Sequence, residues 1–390
     1  MSHTSRIRMR QYPFPFSALA FRENVKSLSI ALHRQPLVSH LLSIELIEWR
    51  VRLGGKFRRA LKSYGGCSQS RSLNSMAQFS NAQGTPYNRA HHLFTVLTAG
   101  FVFLLIIAGA LVTSNDAGLS VPDWPTSFGS LYRIPPLVGG VKFEHGHRML
   151  AELIGLLTIG VAVWTQKVDQ RHWMHVLGWA ALGTVIAQGI LGGLTVLFYL
   201  PPAISTAHAT LAQTFFCIMV GMAFFTSKSW VQPPKAMRNT NAWPRLTTLS
   251  LLTVFVVWLQ LIMGAAFRHS GIRLLPHILG ACIVFCMVNW LVVATLRRHR
   301  NAPQLATPAA ILVTLLMFQI GLGLVTYVAR VHWSRSASAP LLSMVVTTVA
   351  HVACGALVLV TTVILAIQIH RHLEPKAERS TAPHGSTVRA

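Results

Sequence analysis

Four histidines, His147, His208, His277 and His351, lie inside long apolar stretches of the chain. An imidazole in such a stretch serves either as a hydrogen-bonded structural group or as a ligand. A lone histidine of this kind is more often structural, but four in duplicated positions favour ligation. Two imidazoles projecting from different helices can fill both axial positions of a haem iron, with the porphyrin packed among Leu, Val and Phe. Sequence symmetry pairs His147 with His208 and His277 with His351.

Acids are scarce. Residues 76–370 hold five carboxylates, of which Asp116, Asp123 and Asp169 read as loop residues, leaving Glu144 and Glu152 on helices. Glu144 stands three residues before His147, which places both side chains on one helix face. A carboxylate there can stabilise positive charge or accept a proton, whereas the bland alternative is a first-turn acid favoured by the helix dipole. Glu152 points about 80° away from Glu144 on an ideal helix and could carry protons or pair with a polar neighbour. Arg148, Arg268 and Arg273 lie near the proposed ligands and could pair with haem propionates, or be ordinary interfacial cations. His145 and His269 could substitute for a ligand or support one. His91, His92, His172, His175, His299, His332, His370 and His372 sit near span ends, where polar groups reach headgroups.

These side chains need a membrane scaffold to place them. Of 390 residues, 52% are hydrophobic and 11% charged, a balance far too apolar for a soluble domain. Runs of membrane-crossing length occupy 92–113, 144–166, 174–198, 205–227, 246–267, 275–296, 307–329 and 342–369. The expected fold is an all-α integral membrane protein, eight transmembrane helices arranged as two pseudo-symmetric four-helix bundles. The first bundle spans 76–227 and the second 246–370, with a linker at 228–245 and a polar tail at 371–390. Lys167 and Arg171, then Lys228, Lys235, Arg238 and Arg245, then Arg297, Arg298 and Arg300 mark the second, fourth and sixth connections as cytoplasmic, together with both termini. Arg133, Lys142, Arg268, Arg273, Arg330 and Arg335 on the other side moderate that bias. Residues 1–75 are basic and acid-poor, without a clean span or a signal peptide. They are expected to be disordered, as an organellar transit segment or, by preference, an over-extended gene start ahead of Met76.

A duplication runs through the spans. Gln188-Gly-Ile-Leu-Gly-Gly-Leu-Thr resembles Gln319-Ile-Gly-Leu-Gly-Leu-Val-Thr, and Thr206-Ala-His-Ala resembles Thr348-Val-Ala-His. His147 precedes Gln188 by 41 residues and His277 precedes Gln319 by 42. The repeated glycines permit close helix approach or leave room for a flat ligand. The halves differ in one respect: residues 114–143 join spans one and two, against a handful between spans five and six. A connection that long usually has a function, and Trp124 within it suits an interface or a porphyrin face.

The net charge of +24 raises nucleic acid as a partner, but residues 1–75 supply ten of those charges and span ends most of the rest. Membrane topology accounts for them, and no nucleic acid is expected. Cys67, Cys217, Cys282, Cys286 and Cys354 show no zinc spacing, and the last four read as small core residues. No Walker loop, GxGxxG, HExxH or Ser/His/Asp pattern supports nucleotide or hydrolase chemistry, so a cofactor must supply it. A diheme b-type electron-transfer cytochrome would explain the four histidines, but neither the long loop nor the one-sided carboxylate. A transporter would explain the duplication alone.

Ala108-Gly-Ala-Leu-Val-Thr-Ser, Gly118-Leu-Ser-Val-Pro-Asp-Trp-Pro and Glu144-His-Gly-His-Arg148 together resemble the haem A synthase family, over roughly residues 90–370. The Pro-Asp-Trp loop looks like the bacterial form. The resemblance implies an inner-membrane enzyme that oxidises the C8 methyl of haem o to a formyl group by successive hydroxylations, giving haem a for terminal oxidases. It implies that His277 and His351 hold a haem b, that His147 and His208 face the haem o substrate iron, and that Glu144 is catalytic. Some members carry a cysteine pair in the first outer loop; this chain has none there, which excludes a disulfide at that place. An electron acceptor is required but unidentified, and docking with a haem o synthase or oxidase assembly factors, and homo-oligomerisation, stay open.

Overall fold

The computed structural model describes residues 86–131, 133–234, 237–238, 243–330 and 340–374. The expectations for residues 1–75, Cys67, Lys235, His332, Arg335 and residues 375–390 of the tail fall outside the described residues.

Among the described residues, eight helices are long and apolar enough to cross a membrane: α1 (Arg89–Ser114), α2 (Val141–Val168), α3 (His172–Leu197), α4 (Pro202–Phe225), α5 (Leu246–Arg268), α6 (Leu274–His299), α7 (Pro303–Val328) and α8 (Leu342–His372). Local chemistry sets their ends. The Asn88 side chain accepts from the His91 N–H at 3.0 Å and caps α1. Pro202 and Pro303 sit at the starts of α4 and α7, where a missing N–H costs nothing; α7 therefore begins at 303, ahead of the hydrophobic run. Tyr199 and Leu200, at φ 57° and 60°, turn the chain out of α3 before Pro201.

α1, α2, α3 and α4 pack in sequence, and α4 returns to α1; α5, α6, α7 and α8 do the same, with α8 returning to α5. α8 against α1 and α4, and α4 against α5, join the two sets. Leu, Val, Phe and Met fill two apolar clusters, one centred on Ile154, Phe215 and Met219 and the other on Leu291, Leu312 and Leu359. Buried threonines satisfy their hydroxyls within their own helices: Thr158 donates to Ile154 O, Thr253 to Leu249 O, Thr295 to Leu291 O and Thr362 to Val358 O. Large apolar side chains such as Leu97, Leu156, Phe255 and Phe318 cover the outer surface, the pattern of a lipid-facing wall.

Several sequence expectations change here. Cys354 is buried, but Cys282 and Cys286 are exposed on α6 rather than packed in a core. His91 does not reach toward headgroups; it is 3% exposed and its Nε2 lies 2.9 Å from Thr165 Oγ1 on α2. His372 is likewise buried. Glu152, a possible proton carrier, lies on the exposed face of α2.

Arg171 is not a free interfacial cation. It donates to Asp169 at 2.9 and 2.6 Å and to Phe225 O at 3.0 Å, with both ionic side chains almost fully covered. Removing one member of a buried pair strands the other, at about 3–5 kcal/mol. Asp169→Asn is therefore expected to lower the thermal unfolding temperature in detergent clearly, and an unchanged value would show that Arg171 finds water. At the same end Arg298 donates to Pro244 O and Trp243 O, and Arg371 to Trp230 O and Gln232 O. These cations tie down connecting backbone.

Candidate functional site

All four histidines lie near the start of an even-numbered helix, and each ring rests on a glycine near the end of the helix before it. Built onto Gly109, Gly192, Gly264 and Gly323, a Cβ would stand 3.2, 3.1, 2.9 and 3.0 Å from the rings of His147, His208, His277 and His351 respectively. Glycine suits these places because a side chain there would press on the imidazole. Even helices begin where odd helices end, so the four rings share one end of the helical assembly.

The second pair comes together. The His277 and His351 ring centroids are 6.4 Å apart, with planes at 79°. With metal–nitrogen bonds of roughly 2 Å and each ring centre about 1 Å further out, one shared ion needs centroids about 6 Å apart. At that separation His277 and His351 would be able to hold one iron between them. Phe267 stacks on His277 at 10° and holds its plane. His351 Nδ1 is buried without a hydrogen-bond partner, a polar atom that a metal would satisfy. Among the described residues no group of three or more His, Cys, Asp or Glu could hold a metal ion by itself; two imidazoles in an apolar surround are a donor set that would fit a haem.

The first pair occupies the corresponding places on α2 and α4, beneath the connection at 115–140. Glu144 is almost fully buried and both its oxygens are engaged: Oε2 accepts from Val121 N–H at 2.8 Å and Oε1 from Arg148 at 2.7 Å. Arg148 also donates to Val121 O, Asp123 O and Thr126 O at 3.0, 2.7 and 3.0 Å. A guanidinium with this many acceptors is committed to the loop, so Arg148 is not available to a propionate. His145 holds the same loop through Nδ1, 3.1 Å from Ser127 Oγ. The loop thereby delivers Trp124 onto α3, its indole lying where a Gly193 side chain would be, one residue from the glycine under His208.

Within the loop, Asp123 accepts from the Thr126 hydroxyl, from Phe128 N–H at 2.7 Å and from Gly129 N–H at 2.8 Å. Desolvation pushes its carboxyl upward, but the Thr126, Gly129 and Phe128 bonds outweigh it and hold the group at about 2. A depressed value means that the stabilisation is complete above the ordinary 3.8 and is lost as pH falls through about 2. Protection of the Phe128 and Gly129 amides from hydrogen exchange is expected to persist to about pH 4 and to fade only near 2; loss at pH 5 would contradict this.

Of the other cations, Arg273 is exposed. Arg268 crosses from α5 to α1, donating to Ala110 O at 2.8 Å and Ser114 Oγ at 2.9 Å, with its second terminal nitrogen buried and unpartnered. It alone of the three arginines is placed to receive an anionic group between the helix sets. His269 follows it as the α5 C-cap; burial first, then Arg268 and His208, push its pKa down to about 4.

Sequence reasoning placed Gln188 and Gln319 in the repeat without a role, and missed Gln260. Gln188, Gln260 and Gln319 each reach the ring of a candidate ligand, with amide nitrogen to ring nitrogen distances of 3.4 Å for His208, 3.0 Å for His277 and 3.2 Å for His351. The available signal was the recurrence of Gln-x-x-x-Gly at 188–192, 260–264 and 319–323.

Residues 141–276 match a family described as "Cytochrome oxidase assembly protein". The chain is 25% identical over 202 residues to a protein of Alkalihalophilus pseudofirmus named "Heme A synthase", covering 50% of this chain and 64% of that one. It is 28% identical over 179 residues to an Exiguobacterium protein of the same name, covering 44% and 57%, and 31% identical over 115 residues to one from Shouchella clausii, covering 29% and 38%. The matched region thus spans less than two thirds of each of these relatives.

Proposed function

We infer that this chain belongs to the cytochrome oxidase assembly protein family that residues 141–276 match, and that it works as a haem A synthase. The reaction is oxidation of the C8 methyl of haem o to a formyl group by successive hydroxylations. The observation that carries this reading is an asymmetry: two imidazole pairs on duplicated helices, of which, among the described residues, only the first lies under an anchored loop with a buried carboxylate. Under this reading His277 and His351 hold a haem b, His147 and His208 face the iron of haem o, and residues 76–227 and 246–370 form the substrate and cofactor halves. When bound, the haem b supplies one-electron transfer toward an external acceptor.

The chain's own residues do the rest. Glu144, paired with Arg148, places negative charge one helical turn from His147, where it stabilises positive charge developing on the substrate or accepts a proton. The loop that Glu144 and Arg148 hold excludes water from that side and fixes Trp124. Arg268 receives a propionate at the junction of the helix sets. The protein is a multi-pass membrane protein; with the basic connections at 167–171 and 228–245 on the cytoplasmic side, both termini are cytoplasmic and the histidines lie near the outer face of a bacterial inner membrane.

Expression in a host that accumulates haem o but makes no haem a tests the reading. Haem a is expected in the extracted pigment. Persistence of haem o alone, with haem b bound to the protein, would favour the diheme electron-transfer cytochrome instead.

A further inference from the structure

Three of the four histidines have an amide partner and one does not. Gln188, Gln260 and Gln319 each stand four residues before the glycine that carries a ring, and each contacts that same ring. Before Gly109 the equivalent residue is Leu105. Nothing among the described residues hydrogen-bonds the His147 imidazole. In the second half the fit is reciprocal. A Cβ on Gly280, three residues after His277, would strike the Gln260 amide, and one on Gly355, four after His351, would stand 3.2 Å from Gln319 Nε2. One glycine admits the ring and the other admits the amide.

A second observation points to what the amides do. The Oε1 atoms of all three glutamines are buried without a hydrogen-bond partner. Their nitrogens face the rings, and Gln188 and Gln260 also donate to the His208 and His277 carbonyls at 2.9 and 2.8 Å. A neutral imidazole that ligates iron through one nitrogen carries its proton on the other, which must then donate. An amide offers a donor and an acceptor on one rotor, so at Gln319 a half-turn presents Oε1 to that N–H; at Gln188 the backbone carbonyl already takes it, 3.2 Å from His208 Nδ1, and the Gln188 and Gln260 amides stay on the His208 and His277 carbonyls and hold those rings in place. Leucine offers neither.

We propose that Gln188, Gln260 and Gln319 are positioning residues for iron-ligating His208, His277 and His351, and that Leu105 leaves His147 as the ligand that releases iron. This rests on the haem reading above. An accepted N–H makes an imidazole a stronger donor, stabilises ferric iron and fixes the ring's orientation. The second half, with two such partners, retains its haem. The first half, with one, can take in haem o and let its product go.

The test is potentiometric titration of purified haem-loaded protein as wild type, Gln319→Leu and Gln319→Glu, followed optically. The leucine variant is expected to move the midpoint of the second-half haem to a more positive potential, and the glutamate variant to move it below wild type. Unchanged midpoints, shifts of one sign, haem loss from both variants, or haem retention by the leucine variant alone would each overturn the assignment. Haem loss from the leucine variant alone supports it. For the first half, Leu105→Gln is expected to slow haem transfer to apomyoglobin by about tenfold or more; an unchanged or faster rate overturns the role of Leu105. A wild-type protein without a bis-imidazole haem spectrum would remove the haem reading itself before any variant is compared.

Discussion

Replacing Glu144 with glutamine is expected to lower haem a formation by about a hundredfold or more, the scale of a lost acid–base or charge-stabilising group, while bound haem b stays at wild-type level. Glu144 has two jobs in the structure, so the variant needs a companion. Its carboxylate accepts from Val121 N–H and from Arg148, and a glutamine keeps one oxygen for the backbone bond while removing the charge. Arg148→Met instead leaves the carboxylate and removes the clamp on Val121, Asp123 and Thr126. If charge beside His147 matters, Glu144→Gln is the more damaging at saturating haem o, whereas Arg148→Met chiefly weakens substrate retention through a loosened loop. Equal loss in both, with the loop equally mobile by hydrogen exchange, would reduce Glu144 to an anchor. Normal haem a accumulation in Glu144→Gln would remove it from the mechanism.

A valine at Gly323 is expected to empty the second haem site. A Cβ there stands 3.0 Å from His351 Cε1, closer than nearly all such contacts, and the two branches of valine cannot be admitted without moving the ring away from His277. Because the His277 to His351 separation of 6.4 Å would suit one shared iron, displacing either ring is expected to empty the site. Gly321, two residues earlier on α7, has nothing within 4 Å of its Cβ position. Gly321→Val on the same helix is therefore expected to retain haem b and serves as the control for folding and insertion. Haem loss from most of the Gly323→Val protein, with the Gly321→Val protein near wild type, is read directly from the Soret absorbance per chain. Similar haem content in both would show that His351 is not confined by α7.

The spans and the four histidines were legible because they depend on local pattern: twenty apolar residues need no tertiary context, and an imidazole among them stands out. What lay beyond the sequence depends on the path of the chain in space. Arg148 read as either a propionate partner or an ordinary interfacial cation because its charge faces the right end, yet the loop backbone and Glu144 take four of its five N–H groups. His91 read as interfacial from its position in α1, but its partner Thr165 is 74 residues away. Cys282 and Cys286 read as core because in a bilayer the outward face of a helix is as apolar as the inward one, so composition does not separate them. Gln260 was overlooked for a related reason. Its counterpart Gln319 was visible only through the likeness to the stretch at Gln188, and α5 lacks the surrounding glycines that made that likeness plain.

The account turns on two haem sites with different occupants, and the chromatographic identity of the pigments that co-purify with the intact chain tests that most directly. Haem b together with haem o, an oxidised intermediate or haem a is the expected extract, with haem b alone remaining after Gly109→Val or His147→Ala. Haem b as the sole pigment of the wild-type protein from a haem o-producing host, or no haem at all, would contradict it.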